Sequence, residues 1–110
     1  MEIFECNLIN YVIIIGKNKH DNFQIIDDAI DTDVWFHVSG EPSCHIILKN
    51  TNKLKDIPRQ VIKRCAYLCK KNSHSKTQKN TPIIYTQIQN VIKTEIIGQV
   101  AVNTFKTIIV

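Results

Sequence analysis

A chain of 110 residues and 12.7 kDa has the length of one domain, 1–110, able to bury a core without covalent staples, and leaves no room for a second. Its longest apolar run, Tyr11 to Ile15, is far short of the ~20 residues of a membrane-spanning helix. Met1-Glu2 and Glu5 stand where an export signal would carry positive charge, so Cys6, Cys44, Cys65 and Cys69 read as reduced thiols of a cytoplasmic or nuclear protein.

In chain order, Leu8 to Ile15 is apolar and β-branched and stops at Gly16, the pattern of a buried strand followed by a turn at Lys17-Asn18. His20 to Ile30 places Phe23, Ile26 and Ile30 at helical spacing. Val34–Ser39 and Cys44–Lys49 form a predicted hairpin around the turn-forming Gly40-Glu41-Pro42-Ser43. A polar loop, Asn50 to Asp56, leads to Pro58 in the first turn of a second helix, where its missing N–H costs nothing. Strands follow at Pro82–Thr86, Gln99–Asn103 and Lys106–Val110, while Val91–Ile97 fits either helix or strand. The order β, α, β, β, α, β, β, β predicts an α+β fold, a mostly antiparallel sheet with two helices, one long and basic.

Charge is the strongest functional signal. The net +4 conceals a split, because nine of the fourteen basic residues lie between Lys53 and Lys79 against one acid, Asp56. Drawn as a wheel, the second helix puts Ile57, Val61, Ile62, Cys65, Leu68 and Cys69 in one arc. Arg59, Lys63, Arg64, Lys70 and Lys71 fall in the opposite arc around Tyr67, and Lys76 follows in a polar loop. Such a one-signed strip is the footprint of a polyanion site, with Tyr67 available to stack on a base. A solvated lysine face is the plainer reading of the same strip. Gly16-Lys17-Asn18 offers a second phosphate contact through backbone N–H groups and Lys17, without the glycine-rich loop of a nucleotide hydrolase.

His37 and His45 flank the hairpin turn, close to the single tryptophan, Trp35. An odd number of loop residues brings both histidines onto one face of the sheet, and an even number separates them. Only the first allows them to cooperate. Metal binding would also need partners such as Cys44, Cys65-x-x-x-Cys69 or His74, and acid–base work a positioned carboxylate that spacing does not supply; neither a metal nor a cofactor is expected.

Gly16-Lys17-Asn18 with Asn22, Asp33-x-Trp35-Phe36-His37, Pro42 with His45-Ile46, the basic helix ending near Asn72-Ser73, Tyr85-Thr86, Val91 with Lys93, and Gly98-x-Val100 occur in one order. Together they resemble the NFACT-R module, an RNA-binding domain of ribosome-associated quality-control factors that also occurs in small stand-alone proteins. The chain departs from the common pattern in having Lys17 after the glycine, and Ser43-Cys44 after Pro42. The resemblance implies a non-catalytic module that holds structured RNA, ribosomal or transfer RNA, with ribosome association and a translation role, and with His37 or His45 donating to phosphate. An adaptor docking an acidic or ribosomal protein is the alternative. DNA stays open as the polyanion, because phosphate attraction does not read the sugar.

Overall fold

Alternation along one central strand decides the architecture in the computed structural model, which describes residues 1–74 and 76–110. In Val34–Val38, Val34, Phe36 and Val38 enter one apolar cluster and Trp35 enters another, because successive strand side chains leave opposite faces. This strand, β3, lies inside a six-stranded sheet with β1 (Glu2–Cys6), β2 (Ile9–Ile15), β4 (Ile46–Leu48), β5 (Pro82–Gln87) and β8 (Lys106–Ile109). The spatial order is β1-β2-β4-β3-β5-β8. Two short strands, β6 (Val91–Lys93) and β7 (Val100–Val102), form a separate hairpin, and every pairing in both sheets is antiparallel.

Helix α2 (Arg59–Lys71) covers one face. Val61, Ile62, Cys65, Ala66, Leu68 and Cys69 are its buried residues, packed with Ile13, Phe36, Ile46 and Ile83 of the sheet. The opposite face is covered by α1 (Lys19–Asp27) and the β6–β7 hairpin, through Ile25 and Ile26 against Trp35, Ile47 and Ile88, with Val91, Val100 and Val102 alongside. The fold is therefore α+β with two helices, on opposite sides of an antiparallel sheet. Among the described residues no helix is long and apolar enough to cross a membrane.

Three local differences from the sequence reading have physical causes. Glu2–Cys6 is an extra edge strand, hydrogen-bonded to β2 through a tight turn at Asn7 and Leu8, both left-handed (φ 53 and 65). Leu8, expected in the strand, instead sits at that turn almost wholly exposed. Helix α1 ends at Asp27, short of Ile30, because the Ile30 N–H is taken by the Asp33 carboxylate at 3.0 Å. The ambiguous segment after Val91 resolves into a three-residue strand and a turn.

Asp33 is the tie between these layers. Fully buried, it accepts from the N–H groups of Ile30 (3.0 Å) and Asn50 (2.8 Å) and pairs with the Lys49 ammonium. A buried carboxylate is tolerable only when so satisfied. Its effect is to fix the entry to β3 against the exit of β4, which sets the register of the hairpin that carries both histidines.

Candidate nucleic-acid interface

The β3–β4 register runs Val34↔Leu48, Trp35↔Ile47, Phe36↔Ile46, so the next pair outward is His37 and His45. The connection is therefore odd, and both histidines lie on the Trp35 face, opposite α2. Their rings meet edge-on, 4.9 Å between centroids, while His37 stacks on Trp35 at 5.5 Å and 11°.

His45 is held from every side. Its Nδ1 accepts from the Trp35 indole N–H at 3.0 Å, its own N–H donates to the Asn22 side-chain oxygen at 3.3 Å, and its carbonyl accepts from the Gly16 N–H at 2.9 Å. Burial, reinforced by the facing His37, pushes its pKa down to about 4, against the opposing pull of a hydrogen bond to the Gly98 backbone. His45 is thus a neutral structural imidazole with its tautomer fixed by the indole. Its Nδ1, an acceptor from the indole, is therefore not the nitrogen that could donate to a phosphate, the role considered from sequence. His37 is half-buried; its Nδ1–H donates to the Val38 carbonyl at 2.7 Å. Burial lowers its pKa below the usual histidine value, opposed by the Val38 bond and the Glu41 charge. The shared face that cooperation required is present, but no group of three or more His, Cys, Asp or Glu suited to a metal ion occurs among the described residues.

Around this floor opens a cleft of about 1170 Å³. Its walls are the start of α1 from Gly16 to Lys19, the hairpin turn from Gly40 to Cys44, the end of α2 with the loop beyond it, and the segment from Ile97 to Val102. The first wall is more self-contained than the sequence suggested. Asn18 caps α1 by accepting the Asp21 N–H at 2.9 Å, and the Asp21 carboxylate accepts the Lys17 N–H at 2.8 Å. With the Gly16 N–H spent on His45, three of the backbone donors that could have met a phosphate are already occupied. What Lys17 and its neighbour Lys19 bring to the cleft is their exposed side chains.

The basic helix divides in two. Arg59, Lys63 and Tyr67 stand exposed on the outer side of α2, outside the cleft. Arg64 is not a free cation: its guanidinium forks onto the Glu2 carboxylate (Nε–Oε2 2.8 Å, Nη2–Oε1 2.7 Å) beneath the extra strand and lies 5.6 Å from the centre of the Tyr67 ring. That hydrogen-bonded pair holds the Glu2 carboxyl below its usual range and raises Arg64. Lys70 donates to the Val110 carbonyl at 3.0 Å. Lys71 and Lys76, with His74, turn instead into the cleft wall; the same two lysines also border a smaller hollow beside Tyr67. The sequence wheel had grouped these side chains as one surface; the structure makes an outer ridge and a cleft that meet at Lys71.

Two thiols stitch the cleft together. Cys44 Sγ donates to the Cys69 carbonyl at 3.7 Å and Cys69 Sγ to the Cys44 carbonyl at 3.6 Å, joining the hairpin turn to the end of α2. Hydrogen bonding from Cys69 lowers the Cys44 pKa, and the same bond, with burial, raises Cys69. Residues that sequence reasoning did not single out as site groups are Lys19, Asn22 and Gly98. Asn22 had a signal, a polar residue on the inward side of a short helix. Gly98, left-handed at φ 84 with Lys19 Cβ only 2.7 Å from where its own Cβ would stand, had its place in the Gly98-x-Val100 of the family pattern as its signal, without a role attached.

A family model described as NFACT protein RNA binding domain matches residues 2–104. Coiled-coil domain-containing protein 25 of Mus musculus is 36% identical over 91 residues, covering 80% of this chain and 44% of the relative. Protein JLP2 of Saccharomyces cerevisiae is 38% identical over 68 residues, 57% of this chain and 33% of that protein. Among solved structures, the C-terminal part of the fibronectin/fibrinogen-binding protein from Streptococcus suis superimposes with a TM-score of 0.83 at 21% identity, covering 91% of this chain and 40% of that one, a likeness of fold. The chain thus spans less than half the length of these relatives.

Proposed function

This chain belongs to the NFACT RNA-binding domain family, and on that premise we propose that it is a non-catalytic module holding RNA in the cleft between the start of α1 and the end of α2. The observation that carries this reading is the flanking of one concave site by ammonium groups from separate elements, Lys17 and Lys19 on one side, Lys71 and Lys76 on the other. Four lysines outnumber the one carboxylate of the lining, Glu41 at the hairpin turn, and a groove with such a positive excess concentrates a polyanion along which a strand can pass. The floor supports the non-catalytic part of the proposal, since Nδ1 of His45 is committed to the Trp35 indole and the Nδ1–H of His37 to the Val38 carbonyl. Structured RNA of the ribosomal or transfer class, reached through a ribosome, is the target we assign to it.

Filter binding to a structured RNA across a salt series tests the proposal. The wild-type chain should lose affinity steeply with salt, and Lys71→Glu/Lys76→Glu should bind at least tenfold more weakly, with a slope shallower by about one unit per lost phosphate contact. Unchanged affinity in that double variant rejects the cleft as the site. The exposed ridge of Arg59 and Lys63 favours a second reading, docking of an acidic or ribosomal protein. Co-sedimentation with ribosomes that survives both nuclease treatment and the cleft variant would favour it.

A further inference from the structure

His37 contributes something the lysines cannot. Its Nδ1–H is committed to the Val38 carbonyl, which can only accept, so the tautomer of the neutral ring is settled and Nε2 carries a lone pair. Stacking on Trp35 and edge contact with His45 fix the orientation of the ring. Nε2 has no partner among the described residues and is not sealed from solvent, and the ring lines the cleft. A pKa held below the ordinary histidine value keeps the ring neutral at neutral pH. The cleft therefore has lysines on its walls, with Glu41 at the hairpin turn, and at its floor a fixed hydrogen-bond acceptor. A phosphate oxygen, itself only an acceptor, has nothing to offer that group. A nucleotide hydroxyl or base N–H does.

We propose that the cleft takes an unpaired nucleotide and that His37 Nε2 accepts a hydrogen bond from its sugar 2′-hydroxyl or from a base N–H, making His37 the specificity-determining residue of the site. The inference rests on the cleft being the RNA site, and it adds what the lysines lack, discrimination beyond charge. In a paired helix the Watson–Crick N–H groups are engaged across the duplex, so a base donor favours loops and ends over stems, whereas a 2′-hydroxyl donor selects ribose over deoxyribose. The cation-lined walls set affinity, and the imidazole sets which strand is kept.

The test uses short unpaired oligonucleotides of one sequence in ribo, deoxy and 2′-O-methyl form, together with ribo-homopolymers of each base. Binding is measured by anisotropy over a salt series for wild type, His37→Phe and His37→Gln. Phenylalanine keeps the stack on Trp35 and removes the acceptor; glutamine restores a carbonyl acceptor. The expected result is roughly tenfold weaker binding of the preferred ligand by His37→Phe, an unchanged salt slope, and partial recovery in His37→Gln. A wild-type preference for ribo over deoxy and 2′-O-methyl strands that disappears in His37→Phe assigns the donor to the sugar. A preference among bases that disappears instead assigns it to a base N–H. Equal weakening for all strands with a shallower salt slope would mean that the ring meets phosphate, and no weakening at all would mean that it meets nothing; either overturns the inference while leaving the cleft reading intact. Failure of the wild-type chain to bind any of these strands at low salt overturns both.

Discussion

The outer ridge of α2 and the cleft at its end both present basic side chains and are built on opposite terms. Behind Arg59, Lys63 and Tyr67 lies a closed apolar layer, with Val61, Cys65, Ala66 and Cys69 buried against the sheet. Among the described residues the ion pair beside them is that of Arg64 with Glu2, which lies partly open to water. Behind the cleft lie a buried imidazole, an indole N–H that needs an acceptor, a capped helix start and a glycine pressed against an asparagine. A lysine-covered helix face asks only for solvent. The cleft asks for a set of close approaches, each of which can be broken singly, and it should fail under conditions that leave the ridge untouched.

Acid is the broadest way to break it. His45 takes a proton in the folded state only near pH 4, whereas an unfolded histidine does so near ~6.5. Between those values the unfolded chain binds more protons, so stability is full above about pH 6.5 and declines as pH falls toward 4, by about 3 kcal/mol for this one group. His37, also lowered by burial, adds in the same direction. Glu2 contributes only at lower pH, because its carboxyl is held below its usual range by Arg64. Urea midpoints at pH 7.5 and pH 5 should show the decline in the wild-type chain and a flatter profile in His45→Gln. Parallel profiles would remove His45 as the cause.

A smaller and more local break is steric. A Cβ on Gly16 would stand 2.0 Å from the Asn22 side-chain oxygen and 3.2 Å from the His45 carbonyl. Gly16→Ala must therefore displace the group that accepts the His45 N–H, at a cost of roughly 1–3 kcal/mol. RNA binding should weaken with it, while helicity is retained because α2 lies on the other face. Gly40→Ala is the matched control. Its Cβ would meet nothing within 4 Å, so only the left-handed backbone (φ 77) is strained, at about 1 kcal/mol. Thermal melts of the two variants should fall in that order.

The contrast also explains what could be read in the sequence. The alternating strands, the apolar arc of α2 and the turn glycines are local patterns with fixed periods, and they were legible; so was the family, through Asp33-x-Trp35-Phe36-His37 and the hairpin histidine. Edge strand β1 was missed because its alternation is broken by charge, Glu2 and Glu5, and its turn is led by an uncommon Asn7-Leu8 pair. The division of the basic helix was illegible for a different reason. A wheel reports angle around an axis and not position along it, so Arg59 and Lys70 fall in one arc although only the far end of the helix reaches the cleft. Whether His37 and His45 share a face hung on loop parity, which depends on where β3 ends and β4 begins, to the residue. The pairing of Arg64 with Glu2 joins positions 62 residues apart and leaves no local trace.

That ion pair sharpens the comparison at its weakest point, because it tests whether the ridge counts at all. Glu2→Gln removes the acceptor charge that neutralises Arg64 and so adds one unit of positive charge beside Tyr67. If ridge and cleft bind RNA as one surface, affinity should rise and the salt slope should steepen by a sizeable part of a phosphate contact. If the cleft does the binding, the new charge acts from outside the concave site, through water and across a screening length of about 8 Å at physiological salt. Its effect should then stay below twofold. Stability should change little, since an ion pair at the surface is worth about 0–1 kcal/mol and this one is partly open to water. Neutralising Arg59→Gln/Lys63→Gln runs the same experiment in the opposite sense and should cost less than threefold. A tenfold loss there, equal to that expected for the cleft lysines, would mean that the strand runs along the helix and not between its end and α1.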